Sequence, residues 1–144
     1  MAGYSGTPLP RKLGIKPGAR VALIGAPDGI DAALGELPPG VVVHRQARGR
    51  FDVIVAFFGR RAEFERRLPG LTAALVSDGG LWVAWPKKSS GVETDMTEDV
   101  IRKVALPTGL VDNKVCAIDE TWSGLRLVIR RELRPGRAST TVRA

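Results

Sequence analysis

Four short runs constrain this chain more than any other feature: Arg20 to Gly25 (RVALIG), Val41 to His44 (VVVH), Phe51 to Phe58 (FDVIVAFF) and Leu81 to Trp85 (LWVAW). They are near-continuously apolar instead of alternating, the pattern of strands covered on both faces. Such strands form parallel sheets, whose neighbours need crossover connections, usually helices. The segments between the runs supply them. Asp28 to Glu36 can form a short helix, stopped by Pro38, Pro39 and Gly40. Beyond Gly59, the residues Phe64, Leu68, Leu71 and Leu75 fall at i, i+4, i+7 and i+11, one stripe on a helix. Pro69 inside that stripe should kink or split it, and Gly79-Gly80 should end the segment. Asp95 reads as an N-cap with Glu98 as its capping-box partner. It opens a helix with Val100, Ile101, Val104 and Ala105 on its apolar face, ended by Pro107 and Gly109.

The last third reads differently. Val115 to Ile118 and Leu125 to Ile129 flank Asp119 to Gly124, which predicts an antiparallel pair. Leu125, Leu127 and Ile129 should face inward, and Arg126, Val128 and Arg130 outward. The fold class expected is α/β: an open three-layer Rossmann-like sheet of about six strands, closed by a terminal antiparallel hairpin. In element order this resembles a reduced S-adenosylmethionine methyltransferase sheet, with a strand–helix unit missing after the second strand.

A chain of 144 residues has the size of one domain. We assign residues 1–133 to it, with an N-terminal arm, 1–19, pinned by Leu9, Leu13 and Ile15, and a basic tail, 134–144. One Cys excludes an internal disulfide, and one Cys with one His argues against a structural zinc site. No run of about 18 apolar residues marks a membrane span, and no signal-peptide core is present, so a cytoplasmic location is expected. The net charge of +7 is uneven: residues 130–144 hold five Arg and one Glu. A second basic region, Arg45 to Arg67, holds seven Arg against Asp52, Glu63 and Glu65. These regions motivate a nucleic-acid or anionic-partner reading.

Ligands of open α/β sheets bind at the carboxyl ends of the strands, where three loops should meet. The first, GAPDG, offers Gly25, Asp28 and Gly29 as ligand-binding candidates. It lacks the G-x-G-x-x-G spacing, and Pro27 removes a donor where a ligand would approach. The methyltransferase resemblance implies an acid before the glycine run and another ending the second strand. Leu23-Ile24 and His44-Arg45 stand in those places. The second loop, FGRR, puts Arg60 and Arg61 at a helix start, where the dipole disfavours cations. Either the helix boundary is misplaced, or an anion sits there. The third, WPKKSS, offers Trp85, Lys87, Lys88, Ser89 and Ser90 around a phosphate or carboxylate. Asp119, Glu120 and Trp122 in the hairpin connection form a candidate recognition edge, unless Trp122 simply covers the sheet end. Cys116 lies mid-strand without a local base, and His44 has no nucleophile beside it in sequence. No catalytic residue or metal ligand is therefore assigned, and the cofactor stays unknown.

Several longer runs read together: GYSGTPL (3–9), KLGIKPGARV (12–21), LGELPPGV (34–41), GLWVAWPKKSSGVETDMTED (80–99) and GLVDNKVCAIDETWSGLRLVIR (109–130). They resemble a bacterial domain-of-unknown-function family of short stand-alone proteins. That resemblance implies a bacterial cytoplasmic protein and supplies no catalytic residues. Three functional classes follow. The leading one is a non-catalytic methyltransferase-like module binding a small anionic ligand or a protein partner. The alternatives are an active transferase using S-adenosylmethionine or a nucleotide, which can work by positioning alone, and a nucleic-acid binder using the basic regions. The exposed hairpin edge could also pair two copies into a homodimer. No membrane partner is expected.

Overall fold

The computed structural model describes residues 6–134. The apolar runs form β1 (Arg20–Ile24), β2 (Val42–His44), β3 (Phe51–Phe57) and β4 (Leu75–Pro86), followed by β5 (Leu110–Ala117) and β6 (Trp122–Ile129). They make one sheet in the order β2-β1-β3-β4-β6-β5. β1 to β4 are mutually parallel, β6 runs against β4, and β5 against β6. The helices are α1 (Leu9–Lys12), α2 (Ile30–Leu34), α3 (Arg61–Ala73) and α4 (Glu98–Ala105). β2 passes to β3 with no helix or strand between them, so the expected gap after the second strand is there.

Burial on both faces explains the near-continuous apolar runs. Leu81, Val83 and Trp85 of β4 join Phe64, Leu68, Leu71 and Ile101 in the core under α3 and α4. Trp82 and Ala84, on the opposite pleat, join Leu9, Leu13, Ile30 and Leu34 under α1 and α2. Each large apolar side chain removed from water this way contributes roughly 1.5–3 kcal/mol. The Trp82 indole N–H donates to the Leu13 carbonyl at 3.0 Å, which ties the N-terminal arm to the sheet. That arm also carries α1, which its Gly- and Pro-rich composition had concealed. The basic tail beyond Arg134 lies outside the described residues.

Several local expectations are corrected. α3 runs unbroken through Pro69. Pro69 is exposed, so water can take the carbonyl that loses its intrahelical donor. Gly79 and Gly80 do not end a segment; they are buried inside β4. The β3–β4 register jumps there from Phe51–Leu75 to Val53–Gly80. A Cβ at Gly79 would lie 3.0 Å from the Phe51 and Asp52 carbonyls, so glycine is what admits β3 this closely. The N-cap of α4 is Thr97, whose hydroxyl accepts from Val100 N–H at 3.1 Å. Glu98 pairs with Arg102 instead of closing a capping box. α2 is shorter than expected, bounded by Gly29 and Gly35 at φ +90° and +70°. In β6, Val128 is buried, not outward, and Arg126 is half-buried; they stand opposite Val111 and Lys114 of β5.

Candidate functional site

Parallel β1, β3 and β4 end on the same side, so the GAPDG, FGRR and WPKKSS loops gather at one end of the sheet. The β5–β6 connection joins them, since β5 points the same way as β4. Each loop is held by groups of the chain itself. Gly25 takes φ +65°, and a Cβ there would lie 3.2 Å from the Phe57 carbonyl, so the first turn presses onto β3. Gly29 caps α2 with its backbone only, and Asp28 is exposed. At the end of β2, an Arg45 guanidinium nitrogen donates to both Asp31 carboxylate oxygens, at 2.9 and 3.2 Å.

The anion expected at the start of α3 is internal. Arg60 is the N-cap in extended conformation, and the Arg61 backbone N–H donates to Asp95 Oδ1 at 2.8 Å. The residue assigned to cap α4 therefore serves α3. The Arg61 guanidinium pairs with Glu65 at 2.8 Å. Thr94 donates its hydroxyl to the Gly59 carbonyl at 2.7 Å and accepts from Met96 N–H at 3.0 Å. The chain from Thr94 to Met96 is thus strapped across the end of β3, with Met96 buried.

At the end of β4, Trp85 is buried on the α3–α4 side. Lys87 N–H donates to the Thr121 carbonyl at 2.8 Å, binding the third loop to the hairpin connection. Lys88–Ser90 make a single 3-10 turn. The Ser90 hydroxyl is committed within it, donating to the Lys87 carbonyl at 2.6 Å and accepting from Val92 N–H at 3.2 Å. Lys88 and Ser89 are exposed. Among the described residues, Arg60, Lys87 and Lys88 make no ion pair. Asp119 Oδ1 accepts both the Thr121 and Trp122 backbone N–H groups at 2.8 Å, an Asx turn that closes the hairpin. Trp122 sets its ring edge-on against Phe57, centroids 5.2 Å apart, and Glu120 is exposed.

His44 and Cys116 do not meet. They sit on β2 and β5, the opposite edges of the sheet, five strand spacings or about 24 Å apart. His44 stacks edge-on against Phe51 at 5.5 Å and leaves Nε2 buried without a hydrogen-bond partner among the described residues. Burial pushes the Cys116 thiol above its ordinary value, against a smaller opposing pull from Lys12, so it is a poor nucleophile at neutral pH. No helix among the described residues is long and apolar enough to cross a membrane.

No family model matches the chain, and no curated protein is similar to it in sequence. Solved structures are similar in fold. Ribosomal protein L11 methylase from Lactobacillus delbrueckii subsp. bulgaricus superposes with a TM-score of 0.56 at 15% identity, over 85% of this chain and 75% of that one. A protein described as a type 11 methyltransferase from Sulfolobus solfataricus gives 0.59 at 13% identity, over 85% and 89%. Magnesium protoporphyrin IX methyltransferase from Synechocystis PCC 6803, solved with bound SAM, gives 0.52 at 12%, over 85% and 74%. The fold is methyltransferase-like. The methyltransferase-like sheet here is reduced by one strand–helix unit, and its first two strands end in a tight glycine turn and an Arg45–Asp31 pair.

One feature of the methyltransferase-like sheet was not legible in the sequence. A cleft of about 510 Å³ opens at the opposite end, where the strands begin. Gly79-Gly80 was its available signal, since paired glycines inside a strand mark close approach by another group.

Proposed function

We propose that this chain is a non-catalytic methyltransferase-like module that works by binding a small anionic ligand at the carboxyl end of the sheet. The observation that carries the reading is the Arg45–Asp31 pair. A donor nucleoside in this fold needs a free acid at the end of the second strand for its ribose hydroxyls. Here that place holds Arg45, and the Asp31 carboxylate is already bonded to it. The pair is exposed, so it adds less than about 1 kcal/mol of stability; its consequence is that Asp31 is not free to receive ribose hydroxyls. Arg60, Lys87 and Lys88, free of ion pairs at the same end, suit an anion instead.

Thermal unfolding tests this with S-adenosylmethionine, S-adenosylhomocysteine and common nucleotides, on wild type and an R60Q/K87Q/K88Q variant. A ligand at 100 times its Kd adds about 2.7 kcal/mol, or roughly 3–6 °C in Tm for a domain this size. The proposal expects no shift with the methyl donor, and a shift with anionic nucleotides that is smaller in the variant. A shift with S-adenosylmethionine would favour the active transferase. The nucleic-acid reading draws on a groove of about 260 Å³ where Gln46, Ala47, Arg48 and Arg67 meet with no acid in its lining. Nucleic-acid affinity falling steeply with salt and lost in R48Q/R67Q would support it.

A further inference from the structure

The cleft at the amino end of the sheet is built from parts distant in sequence. Lys12 and Lys16 come from the arm, Lys114 from β5 and Arg126 from β6, with Asp52 and Asp78 on the strand-start wall. Asp52 is engaged: its Oδ2 accepts the Arg20 backbone N–H at 2.8 Å. None of the four cations makes an ion pair among the described residues. Lys114 and Arg126 face each other across the β5–β6 ladder.

Arg126 is the specific element. Its guanidinium lies against the backbone of Gly80, where a Cβ would come within 2.8 Å of Cζ. Glycine is therefore what lets the planar head lie on the sheet. The head is half-buried, and among the described residues its one side-chain partner is Asn113 Oδ1 at 3.4 Å, a long contact. Burial, and then the nearby Arg134, push it below the ordinary value for arginine. A half-buried guanidinium with no carboxylate is costly unless an anion joins it, and its fork matches phosphate oxygens bidentately.

We propose that this cleft is a second ligand site, for a small molecule carrying a chain of two or more phosphates, with Arg126 as its anchor. A single phosphate is too small to meet cations from three segments around a space of about 510 Å³, a volume within the range of small-ligand sites. Lys12, Lys16 and Lys114 neutralise the remaining charge. Asp78 stands where it accepts from hydroxyl or amino groups of an organic phosphate. The site is separate from the carboxyl-end anion site proposed above and does not depend on it.

The test is isothermal titration with inorganic pyrophosphate, ADP and, for comparison, inorganic phosphate. The proteins are wild type, R126Q, G80A, K114Q, R60Q/K87Q/K88Q and K103Q, the last removing an exposed α4 charge outside the cleft. Pyrophosphate and ADP should bind, and phosphate should bind far more weakly. R126Q should weaken binding roughly tenfold or more, as expected for loss of a bidentate charged contact. G80A should weaken it too, by lifting the guanidinium while keeping its charge, and K103Q should leave it unchanged. ADP binding as tightly as pyrophosphate, or more so, supports a site built around the phosphate chain with room for an organic part. If G80A misfolds by circular dichroism, R126Q and the exposed K114Q still decide. The proposal is overturned if neither probe binds wild type, or if R126Q binds as wild type does. It is also overturned if R60Q/K87Q/K88Q abolishes binding while R126Q does not, a result that would instead support the carboxyl-end reading. Binding of S-adenosylmethionine would overturn that reading and leave this one standing.

Discussion

At the carboxyl end of the sheet, three of the chain's carboxylates meet its own donors: Asp95 caps α3, Asp31 holds Arg45, and Asp119 closes the hairpin. At the amino end, Lys12, Lys16, Lys114 and Arg126 surround a cleft, and none of them has a carboxylate bonded to it among the described residues. The first end is where this fold class places its ligands. The contrast separates what topology fixes from what side chains decide. Parallel strands bring loops together at the carboxyl end whatever their composition. Whether those loops receive a ligand depends on which polar groups remain unspent, and there Arg60, Lys87 and Lys88 remain. At the amino end no topological rule gathers a site; the arm and the hairpin assemble one around Arg126.

The largest effect should come from the tie that holds the amino-end wall. Trp82→Ala removes a buried indole and the hydrogen bond to Leu13, and should cost about 3–5 kcal/mol in chemical denaturation. Amide exchange of residues 13–18 should accelerate first. Unchanged protection there would mean that the arm is held by something else, and the contrast between the ends would lose its structural basis. Asp95→Ala probes the other end. It leaves the Arg61 N–H without its acceptor and should cost about 1 kcal/mol, with faster exchange at the Arg61 amide. A neutral result would mean that the strap across β3 does not stabilise that end.

The smallest effect concerns Cys116. Its thiol is raised in the folded protein by burial. Below the ordinary thiol range both states hold the proton and stability does not depend on it. As pH rises through that range, the unfolded chain ionises first, so folding loses stability. The unfolding midpoint of wild type should therefore fall slightly faster between about pH 8 and 10 than that of Cys116→Ala. Parallel curves would place the thiol in water.

The layers of the fold were legible because burial on both faces writes itself into sequence as near-continuous apolar runs, and FDVIVAFF and LWVAW carried that signal clearly. Local chemistry was less legible wherever a distant partner decided it. Asp95 and Thr97 both carry N-cap chemistry before α4; Asp95 was drawn away by the start of α3, which no local pattern records. Gly79-Gly80 looks like a terminator in isolation and is required by β3 and Arg126. The carboxyl-end loops could be located because strand direction alone places them. The amino-end cleft could not, since its cations are scattered through the chain and only the folded sheet brings them together.

The proposal to be tested is that the carboxyl end of this methyltransferase-like sheet takes no methyl donor. Titrating S-adenosylmethionine into isotopically labelled protein, with amide NMR at Gly25, Gly29, Asp31 and Arg45, tests it most directly. The account predicts that these resonances stay in place up to millimolar donor, on the order of the upper limit of ordinary substrate affinities. Saturable shifts confined to those four residues would contradict it and return the chain to the transferases.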